Sequence, residues 1–154
     1  MIRRATTDDV ATLTNIAHDA KRYWGYPEHW IDHWRDELTI SNDFVSKNEV
    51  YVSASDDDVR GFYALVVRND KAELEHLWVA PQHIGTGVGK ELFLHAMQLA
   101  GARDLSEVQI SSDPNAEGFY QKMGAHRIGE VRADMDNKAR TVPRLAVKPK
   151  SRES

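Results

Sequence analysis

The sequence predicts an α/β (α+β) fold: a mixed, mostly antiparallel central sheet of six to seven strands flanked by about four helices. Three observations carry that expectation. Apolar residues recur at helical spacing in some stretches and at strand spacing in others, in the order β-α-α-β-β-β-α-β-α-β-β. Three consecutive strand-like stretches are joined by short acidic or polar turns, the connection of antiparallel neighbours. A long amphipathic stretch then opens directly out of a glycine-rich loop.

Each element has its own warrant. Ile2 to Ala5 reads as a short strand. "TTDD" supplies N-cap candidates, and Asp8 and Asp9 suit the positive start of a helix carried by Val10, Leu13, Ile16 and Ala17 to about Arg22. "WGYP" breaks it, and a second helix starts near Pro27 with the apolar stripe Trp30, Ile31, Trp34 and Leu38. "EVYVSA", "GFYALVVR" and "AELEHLWVA" are the three strands, separated by "SDDD" and "NDK". The long helix spans about 87–102, with Val88, Leu92, Phe93, Ala96, Met97 and Leu99 on its apolar side. "EVQISS" is a strand, "NAEGFYQKM" a short helix closed by Gly124, and "HRIGEVR" and "TVPRLAVK" the last strands. Pro143 places the final strand at an edge or a bulge, because proline gives no N–H to a ladder.

Composition narrows the function classes. A length of 154 residues with 41% apolar content predicts one domain over 1–148, followed by a basic, frayed tail at 149–154. With no cysteine there is no disulfide, thiolate metal site or cysteine nucleophile. The net charge of −4 argues against nucleic acid as a main partner. No apolar run reaches the roughly 18 residues of a membrane span, and "MIRRATTDD" has no apolar signal region; the expectation is a cytoplasmic protein. His29 and His33 stand at a metal-compatible spacing without a third ligand, so no metal is expected.

The loop "QHIGTGVGKEL" is the chain's most specific feature. A helix start leaves N–H groups without partners, and glycines let a large anion lie against them. Gly85, Gly87 and Gly89 therefore read either as a phosphate cradle, with Lys90 adding a cation, or as a flexible turn. A P-loop needs glycine where Ile84 stands and Ser or Thr where Glu91 stands. The dinucleotide fingerprint needs G-x-G-x-x-G after a first strand, and this is G-x-G-x-G in mid-chain.

"VAPQHIGTGVGKELF" resembles the hallmark segment of the GNAT (Gcn5-related N-acetyltransferase) superfamily, whose core reads Q/R-x-x-G-x-G/A; Gln82, Gly85 and Gly87 match it. "NAEGFYQKMGA" resembles the second hallmark, an Asn before a Phe-Tyr pair and a glycine turn. The element order is similar to the family's over nearly the whole chain. The resemblance implies acetyl-CoA as co-substrate. Its pyrophosphate would sit on the N–H groups of Ile84, Gly85, Thr86, Gly87, Val88, Gly89 and Lys90, next to Gln82, with Asn115, Phe119 and Tyr120 from the second hallmark. Its pantetheine arm would pair with the main chain of Leu77, Trp78 and Val79, where the family's strand parts from its neighbour. Ile84 departs from the arginine of many members, which leaves more of the phosphate binding to backbone N–H groups and Lys90.

Acetyl transfer to an amine moves two protons. Tyr120 occupies the family's general-acid position, and a phenol can donate at neutral pH without being ionised itself. For the base, strand alternation puts Glu73 and Glu75 on one face and Leu74, His76 and Trp78 on the other; Glu75 is the first choice and Glu73 the second. Both glutamates fit equally well on a solvated strand. With no cysteine, direct attack by the amine is favoured over an acyl-enzyme. The family's first two helices wall the acceptor pocket. Trp24 and Tyr26, in the break between helices, are the acceptor-binding candidates, whereas Trp30 and Trp34 read as core anchors. A primary amine on a small molecule is the expected acceptor. The alternatives are a protein N-acetyltransferase and a non-catalytic acyl-CoA sensor, and exposed edge strands make a homodimer possible.

Overall fold

Short-range capping sets the start of the chain. In the computed structural model, which describes Met1–Pro149, the Asp9 carboxylate accepts from the Thr6 N–H at 2.8 Å and takes the Arg3 guanidinium in a fork at 2.9 and 3.0 Å. The Arg3 bond, more than any other contact, holds the Asp9 carboxyl below the usual carboxylate range. The tail expected at 149–154 lies, from Lys150 on, outside the described residues.

The elements are β1 (Ile2–Arg4), α1 (Val10–Tyr23), α2 (Glu28–His33), α3 (Arg35–Leu38), α4 (Asn42–Lys47), β2 (Glu49–Ser55), β3 (Asp58–Arg68), β4 (Lys71–Val79), α5 (Val88–Ala102), β5 (Val108–Ser111), α6 (Glu117–Lys122), β6 (His126–Arg132) and β7 (Thr141–Val147). The sheet has seven strands in the order β1-β2-β3-β4-β5-β7-β6. β1–β2, β2–β3, β5–β7 and β6–β7 pair antiparallel, and β4–β5 is parallel. This is the mixed, mostly antiparallel sheet the sequence predicts. The chain divides into two compact units, Met1–Leu65 with His76–His95, and Val66–Glu75 with the chain from Ala96 on.

In the first unit Leu13, Val52 and Phe62 are fully buried, as is Leu92 on α5. One glycine here is required by space. A Cβ on Gly61 of β3 would stand 2.7 Å from the Trp78 carbonyl oxygen and 3.1 and 3.2 Å from Leu92 and Val88 side chains. The expected single helix through Leu38 is a correction: the backbone turns out of helix at Trp34 (φ −89°, ψ 6°), which divides it into α2 and α3. α4 has no counterpart in the sequence-based expectation. It is only six residues long, too short for periodicity to register, and its signal is the cap, where Ser41 Oγ accepts from the Phe44 N–H at 3.0 Å. The described residues thus hold six α-helices, not about four.

In the second unit Asn69 and Asp70 both have positive φ, 50° and 66°, which a tight hairpin turn of this hand requires. Val108, Ile110 and Leu145 form its core with α5 residues Ala96 and Ala100. Of the two positions read from Pro143, an edge or a bulge, the edge is corrected, since β7 lies between β5 and β6, and the β6–β7 register does shift beside it, between Arg127 and Gly129. Within a strand the N–H and C=O of one residue point the same way, and the Pro143 carbonyl accepts from Ser112 at 2.9 Å, just past the end of β5. The missing N–H therefore falls where β5 has already run out.

Candidate active site

The first unit contains the glycine loop. A 3₁₀ turn at Pro81–His83 follows β4, and Ile84 then extends the chain. Gly85 and Gly87 have φ of 85° and 91°, a region L side chains rarely adopt. No protein atom beyond the chain neighbours lies within 4 Å of a Cβ built on either, so the space in front of this backbone is open. The first 5→1 bond at this end of α5 runs from the Glu91 N–H to the Gly87 carbonyl at 3.0 Å. The N–H groups of Val88, Gly89 and Lys90 precede it and carry the positive end of the helix dipole. Gln82, Thr86 and Lys90 belong to the same segment, all three exposed. This arrangement can hold a diphosphate.

Immediately before the loop, Leu77, Trp78 and Val79 end β4, half-buried. The register of β4 with β5 covers Ala72 and Glu73, and β4 continues past it to Val79. Trp78 donates its indole N–H to His76 Nδ1 at 3.0 Å, as their spacing on one strand face allows. His76 packs on Phe44 and Phe62 at 5.7 and 6.0 Å between ring centroids, and burial pushes its pKa down to about 4. Because the unfolded histidine titrates near ~6.5, the native state binds fewer protons below that pH. His76 is expected to stabilise the fold fully above ~6.5, and to lose about 2 kcal/mol of that as pH falls toward ~4. Urea denaturation between pH 7 and 4.5 checks this; His76→Phe should flatten the slope, and an identical slope contradicts it.

The aromatic cluster of the first unit is already filled by a cation. Tyr26 stacks on Trp30 at 5.7 Å and meets Trp34 edge-on at 5.1 Å. Lys21, buried at the end of α1, puts Nζ 4.3 Å from the Trp34 ring, 5.1 Å from Tyr26 and 5.8 Å from Trp78. The Tyr26 ring, an acceptor-binding candidate from the sequence, thus already has an ammonium over it. Trp34 is buried and Trp30 half-buried, in keeping with anchoring roles. Trp24 is exposed and meets Tyr23 edge-on at 5.3 Å.

The second unit holds the two glutamates and Tyr120. Each glutamate has a cationic partner, Glu73 with Arg144 at 2.6 Å and Glu75 with Arg68 at 3.2 Å. Arg144 also donates to Gln109 at 2.7 Å and to Ser111. Glu73, Arg68, Gln109 and Arg144 line a cleft of about 610 Å³ with Lys71. Sequence reasoning misses Arg144, which stands 71 residues from Glu73. Tyr120 is buried in α6 against Phe119, at 5.3 Å between centroids. Burial, and then the Asp113 charge, push its phenol well above the usual tyrosine range, so it is held protonated. Asn115 is exposed, and its side-chain amide donates to Asp113 at 3.0 Å. Among the described residues no three His, Cys, Asp or Glu side chains are grouped to hold a metal, and no helix is long and apolar enough to cross a membrane.

Comparison with known proteins extends this geometry. A model described as the acetyltransferase (GNAT) family matches residues 11–125. A peptidyl-lysine N-acetyltransferase, YjaB of Salmonella typhimurium, is 31% identical over 73% of this chain and 73% of its own. A spermidine N(1)-acetyltransferase of Thermoplasma acidophilum is 28% identical over 80% of this chain and 86% of its own. The crystal structure of the PaiA N-acetyltransferase from Thermoplasma acidophilum in complex with coenzyme A superposes with a TM-score of 0.74 at 22% identity, covering 96% of this chain and 98% of that one, a likeness of fold. A glycine loop at a helix start, set in a fold of this order and matched over most of its length by the family's own pattern, leaves one assignment: the chain belongs to the acetyltransferase (GNAT) family and is an acetyl-CoA-dependent acetyltransferase.

Proposed function

We propose that the chain transfers acetyl from acetyl-CoA directly to a primary amine of a small molecule. The observation that carries this reading is the open glycine loop within 84–90, which offers the diphosphate a seat on the N–H groups of Gly85, Gly87, Val88, Gly89 and Lys90 at the start of α5, while those of Ile84 and Thr86 donate to the Pro81 and His83 carbonyls at 3.3 Å. The main chain of Leu77, Trp78 and Val79, lying beyond the β4–β5 register, takes the pantetheine arm. Asn115 and Phe119 are assigned to cofactor binding by the second hallmark, which they match.

The chemistry follows from the groups present. Glu75, or Glu73, takes a proton from the ammonium through a water. The freed nitrogen attacks the acetyl carbonyl, and a backbone N–H near Leu77 or Trp78 stabilises the oxyanion. The C–S bond breaks as Tyr120 gives its proton to the departing sulfur, and Tyr120 regains one from the nitrogen of the collapsing intermediate. The net products are an acetamide, free CoA and one proton. The aromatic set around Tyr26, with Trp24 two residues before it in the chain, supports a small acceptor. The peptidyl-lysine relative supports a protein acceptor as the second reading, and radiolabelled acetyl transfer to small amines and to peptides side by side decides between them.

Isothermal titration with acetyl-CoA tests the cradle. Gly87→Ala is expected to weaken binding about tenfold or more, since a Cβ at φ 91° both strains the loop and enters the anion's space. Gly25→Ala, at φ 84° with open space around it, carries the same strain away from the loop and should leave affinity unchanged. Equal affinities for both variants would remove the loop from the cofactor site.

A further inference from the structure

Glu73 and Glu75 are held by two very different arginines, and the difference divides their work, a division that presupposes the acetyltransferase reading. Arg144 stands where the sheet forks. Glu73 and Gln109 are the last pair of the β4–β5 register, and β4 runs on from there to Val79. Ser111 lies opposite Arg144 in the β5–β7 register. Opposite residues share a sheet face and alternate residues return to it, so Glu73, Gln109, Ser111 and Arg144 project from one face. The other face there carries the buried Val108, Ile110 and Leu145. One guanidinium serves three partners on two strands: it donates to Glu73 Oε1 at 2.6 Å, to Gln109 Oε1 at 2.7 Å and to Ser111 Oγ. The Arg144 side chain is only 21% exposed. Among the described residues no donor is bonded to Glu73 Oε2, and this carboxylate lines the cleft of about 610 Å³. Glu75 has a looser partner. Its Arg68 is 69% exposed at a distance of 3.2 Å, and an exposed pair gains little by keeping one geometry.

We propose that Arg144 is a positioning residue: it locks Glu73 through Oε1 and so presents Oε2 in the cleft as a fixed anchor for the ammonium of a primary aliphatic amine. The anchor is a charge-assisted N–H···O bond, the stronger kind. Arg68, Lys71 and Arg144 on the cleft wall are balanced by Asp70, Glu73 and Glu107, so the placement of one oxygen, and not net charge, recognises the ammonium. Glu75, two residues further along β4 and about 7 Å away, is left to take the proton through a water. An arginine that merely stapled three strands together would leave the acceptor's constants alone.

The test is steady-state CoA release with putrescine, spermidine and Nα-acetyllysine, the constants being taken with the amine that wild type turns over fastest. Arg144→Met is expected to raise the KM for that amine about tenfold or more, while the KM for acetyl-CoA stays within about twofold. Arg144→Lys, which keeps the charge and a donor for Glu73, should stay within about threefold of wild type. Glu73→Gln should match Arg144→Met, and combining the two should add no more than about twofold, because they act as one unit. Four results overturn the proposal: an unchanged amine KM in Arg144→Met, an acetyl-CoA KM that rises in step with it, effects that multiply in the double variant, or no acetylation of any of the three amines by protein that binds acetyl-CoA normally. Failure to bind acetyl-CoA is a different failure, one of the acetyltransferase reading, and the positioning role falls with it. Should Arg144→Met not fold, Glu73→Asp takes its place: it keeps the charge one methylene short of Arg144, the same loss is expected, and a wild-type amine KM overturns the proposal.

Discussion

Replacing Tyr120 by phenylalanine is expected to lower kcat by about 10²–10³-fold while leaving acetyl-CoA affinity within about twofold. The ring stays, so the packing against Phe119 and the burial of α6 are retained. What goes is one hydroxyl that its surroundings hold protonated, chiefly by burial and then by the Asp113 charge. Without it the departing thiolate has to draw its proton from water, and the step slows. Steady-state kinetics with a weaker leaving group should show a larger deficit still. An undiminished kcat would assign Tyr120 to packing alone.

The second large effect is on the fold. Gly61→Ala is expected to destabilise the chain by about 2 kcal/mol, a Tm drop of roughly 4–8 °C. The new Cβ would meet the Trp78 carbonyl oxygen at 2.7 Å, and that atom is backbone with no rotamer to retreat into. Leu92 and Val88, at 3.1 and 3.2 Å, close the other sides. Alanine also stiffens the unfolded chain, which offsets a few tenths of this. Because the displaced atom belongs to the stretch proposed for the pantetheine arm, acetyl-CoA affinity should fall with stability. Calorimetry and differential scanning on the same sample check both, and a Tm within about 1 °C of wild type would show that the strands yield freely.

Much of the fold and the candidate site is legible in the sequence because the features are local. The glycines at 85 and 87 occupy positions where φ is positive, and the His76–Trp78 bond joins residues two apart on one strand. The break before Pro27 and the Gly124 turn after α6 come from the same short-range rules. The illegible parts depend on distant neighbours. Nothing near Glu73 announces Arg144, and nothing near Lys21 announces Trp78. The interior place of β7 is hidden because Pro143's missing donor is harmless only at the end of β5, which is a property of the pairing and not of the residue. α2 and α3 separate at Trp34 although their apolar stripe runs on without a break.

The distribution of tryptophans has an optical consequence. Trp24, Trp30, Trp34 and Trp78 all belong to the first unit, and the second has none among its residues. Indole emission therefore watches one half of the molecule, whereas far-ultraviolet dichroism watches both. Superimposable melting curves from the two signals would show the halves unravelling as one cooperative body, and separated curves would show them doing so in turn.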